Sequence, residues 1–323
     1  MHLLILGLSS IVQRRVLPAL RRIDAVEQID VATRQAASGT LRDSWGLGDV
    51  FDSYSEALER TRADVVYVSL PNSAHEEWAE KALGSGAHVI VDKPAFLGAT
   101  RAERLVALAD RQGCCLAEAT VYGYHPQIQC ARTLFDCEEG SRARRVVAIF
   151  SFPPLPDGNF RYVKALGGGA LWDLGPYAVS LGRIFFGEQP QSLMCDVLAT
   201  TGAAGVETAF SVMATYPGGR SMVGHFGWDT VYRNRVEAIG ERIGAEIDRV
   251  FTTPPDTAAS MRVIRPSGTE TMEGPIGDAF ALFLGHVFDS IGRRSWGGLH
   301  ADLLADAQAL RQLREAAGVG NAD

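Results

Sequence analysis

The sequence predicts an α/β part with a doubly wound parallel sheet, followed by an α+β part with an open antiparallel sheet and helices. Short apolar strands alternate with helical segments up to about Val121, which is the pattern of parallel strands joined by right-handed crossovers. From Arg144 onward, longer strands follow one another directly. Glycine turns such as Pro217–Gly218–Gly219 separate some of these strands, which is typical of hairpins.

The elements of the first part follow from apolar runs and helical spacing. Residues 64–70 are nearly continuously apolar, so this strand is expected to be buried on both faces of its sheet. Asn72 is expected to cap the helix that runs to about Gly84. The predicted strands are 3–6, 29–33, 64–70, 88–91 and 114–117, and the predicted helices are 11–22, a short one around 56–58, 72–84 and 100–112.

The second part is predicted to be a run of antiparallel strands with helices beside them. The strands are 146–152, 207–216, 220–228, 235–240 and 246–250, and the helices follow Gly167–Gly168–Gly169 and span 278–291 and 301–317. The last helix is amphipathic, so we expect it to pack back on the first part. The predicted domains are therefore residues 1–120, joined by a C-terminal helix at 298–318, and residues 121–297.

Composition excludes several classes of function. The 323 residues are 46% hydrophobic and carry a net charge of −7 without a basic block, which does not favour nucleic acid or an anionic membrane as partners. No apolar run reaches about 18 residues, so no membrane span is predicted. The histidines lack metal-ligand spacing, and no metal site is expected. The five cysteines lack it too, and we interpret them as free thiols of a cytoplasmic protein.

The turn after the first strand is a candidate phosphate-binding loop of a Rossmann-type domain. Gly7, Ser9 and Val12 form the pattern G-x-S-x-x-V, where such a fold usually has G-x-G-x-x-G or A. Gly7 permits the tight turn, and the backbone of Ser9, Ser10 and Ile11 leads into a helix whose first N–H groups suit a pyrophosphate. Ser9 adds a hydroxyl donor, whereas Val12 is bulky where helix and strand pack closely. An ordinary strand–helix turn remains the alternative.

The end of the second strand favours NADP over NAD. An NAD site usually places Asp or Glu there to accept a hydrogen bond from the ribose 2′-hydroxyl, but this sequence has Thr33 and Arg34. Arg34 can pair with a 2′-phosphate and Thr33 can donate to it. The alternatives are NAD as the cofactor and Arg34 as a solvated surface arginine.

Three stretches together resemble the Gfo/Idh/MocA family of oxidoreductases. They are residues 64–94, "DVVYVSLPNSAHEEWAEKALGSGAHVIVDKP"; residues 159–179, "NFRYVKALGGGALWDLGPYAV"; and "YRNRVEAIG" at 232–240 with "DRVFTTPP" at 248–255. The resemblance covers essentially the whole chain. The start "GLSSIVQRRVLPAL" and the third stretch look most like the branch that reduces keto groups on nucleotide-linked sugars.

The resemblance implies roles for particular positions. Lys93 matches the family lysine beside the nicotinamide, and Asp173 and Tyr177 match the aspartate and the proton-transferring residue four positions later. Asp92 stands where glutamate is commoner. The residues that match the loop along the adenosine and ribose side of the cofactor are Leu70, Pro71, Asn72 and His75.

These residue types suit the reduction of a ketone. Tyr177 can donate a proton to the developing alkoxide, and a nearby ammonium lowers the phenol pKa from its ordinary value of about 10. Lys93 supplies a compact point charge that an arginine would not match. Asp173, one helical turn before Tyr177, could hold Lys93 or a sugar hydroxyl. The alternatives are a plain helix pair for Asp173 and Tyr177 and a surface cation for Lys93.

Five further residues are candidates for the substrate side. For His125 the alternative is a core histidine, for Trp172 it is packing between domains, and for the two arginines it is salt bridges. The candidates are Tyr122, His125, Arg161, Trp172 and Arg233.

The sequence therefore predicts an NADP-dependent oxidoreductase that reduces a keto group on a nucleotide-linked deoxysugar. Two alternatives stay open: a dehydrogenase of a free sugar, polyol or diol, and a non-catalytic binding protein on a degenerate dinucleotide fold. The resemblance also implies a homodimer or homotetramer, formed through the exposed face of the second sheet.

Overall fold

The computed structural model describes residues 1–34, 42, 45–137, 142–203 and 205–320. The chain divides into two units. Among the described residues, the first comprises Met1–Ala119 and Phe280–Ala307, and the second comprises Thr120–Ala279 and residues 308–320. Within the described ranges, no helix combines the length and the apolar character that crossing a bilayer would need.

The predicted doubly wound parallel sheet is confirmed in the first unit. Its described strands form one six-stranded sheet in the order β3-β2-β1-β4-β5-β6, and every neighbouring pair is parallel. The strands are β1 (His2–Leu6), β2 (Gln28–Ala32), β3 (Val50–Phe51), β4 (Val65–Val68), β5 (His88–Val91) and β6 (Leu116–Glu118). The order reverses between β1 and β4, and this switch point is where folds of this kind bind ligands.

The helices of this unit differ from the prediction in two places. The 11–22 segment begins with a π-helical turn (Val12–Val16) before α1 (Leu17–Leu20), because Pro18 lacks an N–H group and its ring would clash with the carbonyl of Arg14. Asn72 does not cap a helix: it begins a short 3₁₀ turn (Asn72–Ala74). The later helices are α2 (Tyr54–Thr61), α3 (His75–Gly84) and α4 (Ala99–Gln112).

The core of the first unit lies between the sheet and its helices. Leu4 and Leu6 of β1 pack with Val66 and Val68 of β4, and all four side chains are essentially inaccessible to solvent. Leu303, from a helix near the end of the chain, belongs to the same cluster. Fully burying one such side chain contributes about 1.5–3 kcal/mol. This core fixes the strand ends from which the candidate cofactor residues extend.

The second unit contains a mostly antiparallel sheet, as predicted. Its described strands form an eight-stranded sheet in the order β14-β13-β12-β11-β7-β10-β9-β8, in which β7 and β10 pair in parallel and the other neighbours are antiparallel. The strands are β7 (Arg145–Ser151), β8 (Ser192–Thr201), β9 (Val206–Tyr216), β10 (Arg220–Gly227), β11 (Arg233–Ile239), β12 (Gly244–Asp248), β13 (Ser260–Arg265) and β14 (Gly268–Glu273). The sequence prediction missed β8, β13 and β14.

The remaining helices complete the two units. The helix α7 (Gly175–Phe186) packs on one face of the second sheet so closely that a Cβ on Gly182 would lie 2.2 Å from the ring of Tyr216. The unit boundary falls inside the last helix, between Ala307 and Gln308. The helices are α5 (Pro126–Cys137), α6 (Ala170–Asp173), α7 (Gly175–Phe186), α8 (Ala279–Gly292) and α9 (Gly297–Ala316).

Two histidines hold the edge strand β6 and the residue before it. The Cys115 N–H donates to Nδ1 of His88 (2.8 Å), and the Leu116 N–H donates to Nε2 of His300 (3.0 Å). Nδ1 of His300 lies 3.0 Å from Oδ1 of Asp110 and therefore carries the proton that it donates to this carboxylate. Both rings must be neutral to accept these backbone bonds.

Acid is expected to weaken the first unit through these two rings. Burial lowers the pKa of both His88 and His300, and the charges of Asp64 and Asp110 oppose it only in part. An unfolded histidine has a pKa of about 6.5, so the unfolded chain takes up these protons first. The stabilisation is therefore fully present above that pH and is lost as the pH falls toward the lower folded pKa.

Urea unfolding at pH values from about 8 to about 5 measures this effect. The free energy of unfolding should fall with decreasing pH. In the double variant His88→Gln/His300→Gln, the slope of this free energy against pH should decrease by the equivalent of up to two protons, because glutamine accepts the same bonds without titrating. His225→Gln, in the second unit, is the control. An unchanged pH slope in the double variant contradicts this account.

Candidate active site

The candidate phosphate loop needs glycine at its first position. Gly7 follows β1 with φ of +96°, and its N–H donates to the carbonyl of Ala32 (2.8 Å). A Cβ at this position would lie 2.2 Å from the carbonyl oxygen of Ser69. The end of β1 therefore passes directly against the end of β4, and only glycine fits. Val12 is fully buried in the π-helical turn, so the structure accommodates it.

Ser9, the departure from the usual glycine pattern, is bonded within the protein. Its Oγ lies 2.8 Å from Oγ of Ser69 and accepts the N–H of Val12 (3.2 Å). Asp92, where the family more often has glutamate, accepts the hydroxyls of Tyr67 (2.6 Å) and Ser69. Burial, and then the charge of Asp92 and the hydrogen bond to it, raise the pKa of Tyr67 well above its ordinary value, so this phenol remains a donor.

The residues after β2 lie at the same edge of the sheet. Thr33 is buried, and its N–H donates to the carbonyl of Phe51 (2.9 Å). The exposed guanidinium of Arg34 lies 5.1 Å from the centre of the Tyr54 ring, on the first turn of α2. This cation–π contact gives Arg34 a defined location beside the strand end.

His75 connects the loop after β4 to the segment after β5. Its Nε2 lies 2.8 Å from the carbonyl of Leu70, and its Nδ1 lies 2.9 Å from the carbonyl of Pro94. Burial lowers the pKa of His75, and the charge of Asp92 and the backbone carbonyls act against this. His75 thus holds the loop backbone from within, beside exposed Pro71 and half-buried Asn72.

Lys93 stands at the carboxyl end of β5. The N–H of Asp92 donates to the carbonyl of Val68 (3.0 Å), which continues the parallel ladder to the residue before Lys93. Lys93 itself is half-buried, and its peptide bond to Pro94 is cis. The N–H of Ala95 then donates to the carboxylate of Glu118 (2.7 Å), which fixes the following segment.

In the second unit, Tyr177 lies on the first turn of α7 among aromatic rings. Its ring centre is 5.7 Å from that of Tyr122, 5.2 Å from Phe150 and 5.1 Å from Phe251. Tyr122 and Phe251 are buried, whereas Tyr177 is half-exposed. Packing therefore fixes the direction of the Tyr177 ring while part of it remains accessible.

Asp173 pairs with Arg161. The Nε of Arg161 lies 2.8 Å from Oδ2 of Asp173, which is the last residue of α6 and is separated from α7 by Leu174. Burial alone would lower the pKa of Arg161, but the charge of Asp173, the hydrogen bond to it and the charge of Tyr177 together raise it. The Arg161 guanidinium is therefore an electrostatic neighbour of the Tyr177 phenol.

A glycine run makes this pairing possible. The N–H of Gly169 donates to the carbonyl of Arg161 (2.9 Å), and a Cβ on Gly168 would lie 2.5 Å from that carbonyl oxygen. Gly169, with φ of +118°, would place its Cβ 2.5 Å from a carboxylate oxygen of Glu207. The Gly167–Gly169 run thus folds the Arg161 segment back onto α6.

The other substrate-side candidates occupy different environments. Trp172 is buried beneath the guanidinium of Arg314, 3.8 Å from its ring, so the structure packs it inside the second unit. Tyr122 is buried and bonds Ser180 through its hydroxyl (2.7 Å). His125 is also buried, and its Nδ1 accepts the N–H of Gln127 (3.2 Å). Arg233, which begins β11, is exposed.

Four structural neighbours of the site were not identified from the sequence. Tyr67 and Ser69 lie within an apolar strand, and Phe150 and Phe251 look like ordinary core residues. No local motif marks them. Among the described residues, no three His, Cys, Asp or Glu side chains come together in a way that could hold a metal ion.

Two family models match the chain. A model described as "Oxidoreductase family, NAD-binding Rossmann fold" matches residues 1–120, and "GFO/IDH/MocA C-terminal domain" matches residues 128–246.

Similar proteins give consistent matches. The chain is 34% identical over 276 residues to dTDP-3,4-didehydro-2,6-dideoxy-alpha-D-glucose 3-reductase of Saccharopolyspora spinosa, covering 85% of this chain and 82% of that one. Identity to the enzyme of the same name from Actinomadura kijaniata is 31% over 278 residues, covering 86% and 83%. A crystal structure of a 3-ketoreductase from A. kijaniata, in complex with NADP and TDP-benzene, superposes with a TM-score of 0.91 at 28% identity and covers 98% of each chain.

The family resemblance seen in the sequence is thereby confirmed on independent grounds. The family models span most of the chain, and the curated relatives exceed 30% identity over more than four-fifths of it. The chain belongs to the Gfo/Idh/MocA family of oxidoreductases.

Proposed function

We propose that this chain is an NADP-dependent ketoreductase that acts on a keto group of a nucleotide-linked deoxysugar. The observation that carries the proposal is the similarity of nearly the whole chain to dTDP-sugar 3-reductases, one of which was solved with NADP and TDP-benzene. The presence of Lys93 and Tyr177 agrees with a reaction in which a carbonyl oxygen gains a proton.

The residues of the first unit fit a dinucleotide. Parallel strands bring the residues after β1, β2, β4 and β5 to one edge of the sheet, beside its switch point. Backbone N–H groups between Gly7 and Ile11 would hold the pyrophosphate, and Thr33 with Arg34 would hold a 2′-phosphate. The Leu70–Asn72 loop would follow the adenosine and ribose side, and Lys93 the nicotinamide side. NADPH, when bound, supplies the hydride.

Lys93 and Tyr177 share the remaining chemistry in this proposal. The ammonium of Lys93 polarises the substrate carbonyl and stabilises the negative charge that develops on its oxygen. Tyr177 donates its phenolic proton to that oxygen. A free phenol has a pKa of about 10, and a nearby positive charge lowers it toward the working range. Arg161, anchored by Asp173, supplies one such charge from within the second unit.

The second unit would recognise the nucleotide-linked sugar. Exposed Arg233 and the guanidinium of Arg161 are suited to the diphosphate, because planar guanidinium groups bind phosphate oxygens in pairs. Tyr122, His125 and Trp172 are buried, and we assign them to the wall behind the substrate rather than to its polar groups.

One face of the second sheet is suited to self-association. Strand pairing places Met194, Met213, Val223 and Val147 side by side across β8, β9, β10 and β7. The first three are 62%, 42% and 38% exposed, and Ile149 on the same face is 37% exposed. An apolar stripe across four strands supports a homodimer through this face, or a homotetramer that contains it.

A reducing, cytoplasmic location is part of the same proposal. The five cysteines are free thiols, and Cys114, Cys115 and Cys195 are buried. Burial is the main cause that raises the pKa of Cys115 and of Cys195 to about 12, which keeps these thiols protonated and unreactive.

Turnover assays test the proposed reaction. The purified chain should oxidise NADPH with a dTDP-linked 3-keto deoxysugar, and kcat/KM for this reaction should exceed that for oxidation of any free sugar, polyol or diol with NADP⁺. Faster turnover of an unlinked sugar or diol would contradict the proposed substrate class.

Replacing Lys93 tests the role of the ammonium. Lys93→Met removes the charge but keeps the length of the side chain, so kcat should fall by about 10² or more while the fold is retained. Lys81→Met, which removes an exposed lysine paired with Glu77 on α3, is the matched control and should leave kcat unchanged. Circular dichroism checks the fold, and near-normal turnover in Lys93→Met would defeat the mechanism.

Replacing Arg34 tests the cofactor preference. Arg34→Asp should lower the ratio of kcat/KM for NADPH to that for NADH by about tenfold or more, the contribution of one charge-assisted hydrogen bond. Arg60→Asp is the control, because Arg60 also contacts an aromatic ring, that of Phe51, within the first unit. An unchanged ratio in Arg34→Asp would make Arg34 a surface residue only.

A further inference from the structure

The carboxylate of Asp92 accepts hydrogen bonds from two hydroxyl groups, one within β4 and one just after it. Tyr67 lies in β4, and Ser69 is two positions later, just after the strand ends. Residues two positions apart in an extended strand point their side chains to the same face of the sheet. Tyr67 donates to Oδ1 and Ser69 donates to Oδ2. Tyr67 is fully buried and Ser69 is 4% exposed. Two converging donors are the arrangement of an ionised carboxylate, which only accepts hydrogen bonds.

This acceptor sets the direction of the next hydrogen bond. A serine hydroxyl has one hydrogen, and that of Ser69 is used on Asp92. In the 2.8 Å contact between the two serines, Ser9 must therefore be the donor and Ser69 the acceptor. The Ser9 oxygen accepts the N–H of Val12 at the entrance to the π-helical turn. The chain of bonds runs from Val12 through Ser9 and Ser69 to Asp92.

The direction of these bonds changes the role of Ser9. Its hydroxyl hydrogen points into the protein toward Ser69, so it is not the phosphate donor that the sequence suggested. The hydroxyl instead joins the phosphate loop to the end of β4, where Gly7 also passes against the Ser69 carbonyl. The charge of Asp92 strengthens the bonds that end on it.

We propose that Ser69 and Asp92 are positioning residues that hold the phosphate loop through Ser9, so that its backbone N–H groups are set for a pyrophosphate. The sequence departs from the family pattern at two positions, with Ser9 in place of glycine and Asp92 in place of glutamate. The hydroxyl of Ser69 connects these two residues through hydrogen bonds. The proposal rests on the proposed function in one respect, that the first unit binds NADP.

Fluorescence titrations of NADPH with Ser9→Ala, Ser69→Ala and the double variant test this proposal. Each single change breaks the same chain of bonds, so each should raise the Kd for NADPH about tenfold. The Kd of the double variant should also rise by about tenfold, and not by the product of the two single effects, because the second change removes a bond that is already uncoupled from Asp92. Ser85→Ala, whose hydroxyl bonds the carbonyl of Ala82, should keep the wild-type Kd.

Adenosine 2′-monophosphate separates positioning from general damage, since it carries the 2′-phosphate but no pyrophosphate. Its Kd should stay at the wild-type value in all three variants. An unchanged NADPH Kd in Ser69→Ala, multiplying effects in the double variant, or equal losses for both ligands would each overturn the proposal. If Ser69→Ala does not fold, the two-ligand comparison in Ser9→Ala decides alone.

The two proposals fail in different ways. Wild-type protein that does not bind NADPH overturns the proposed function and this inference together. Wild-type protein that binds NADPH, with variants that bind it equally well, overturns only the role of Ser69 and Asp92.

Discussion

The ionised carboxylate of Asp92 is the constraint on which the candidate cofactor edge depends. It follows β5, and it accepts hydroxyls from Tyr67 within β4 and from Ser69 just after it. Because a carboxylate only accepts, it orders the hydroxyls around it as far as the loop after β1. Three adjacent strand ends are thus joined by side chains where the backbone ladder stops. Lys93 is the next residue along the chain.

The second unit fixes its own candidate groups by different means. Aromatic packing sets the ring of Tyr177, and the Gly167–Gly169 run allows Arg161 to fold back onto Asp173. The ion pair partly offsets the cost of burying each charge, while the Arg161 charge also acts on the phenol. Both units therefore hold a candidate functional group at the end of a rigid element.

Most of the fold of the first unit could be predicted from the sequence, because apolar runs and helical spacing are local signals. The misses have physical causes. β14, Gly268–Glu273, is an exposed edge strand of polar residues, so it has no apolar alternation and depends on pairing with β13. β8 has apolar residues on both faces, which hides its period of two. Asn72 could not cap α3, because the chain first forms a separate 3₁₀ turn there.

Only part of the candidate site could be predicted from the sequence. Lys93 and Tyr177 belong to motifs, so resemblance alone could assign them roles. Arg161 and Asp173 lie far apart along the chain, and their pairing depends on the turn made by the Gly167–Gly169 run between them. Hydrophobic periodicity does not describe such a turn. Ser69 gave no signal, since a serine at a strand end is common and its importance arises only from what lies across the sheet.

Binding of NADPH by the purified wild-type chain tests the central claim most directly. The account predicts a saturable change in NADPH fluorescence and tighter binding of NADPH than of NADH, despite serine at the second glycine position. No saturable binding at high micromolar cofactor would contradict it and would support a degenerate dinucleotide fold.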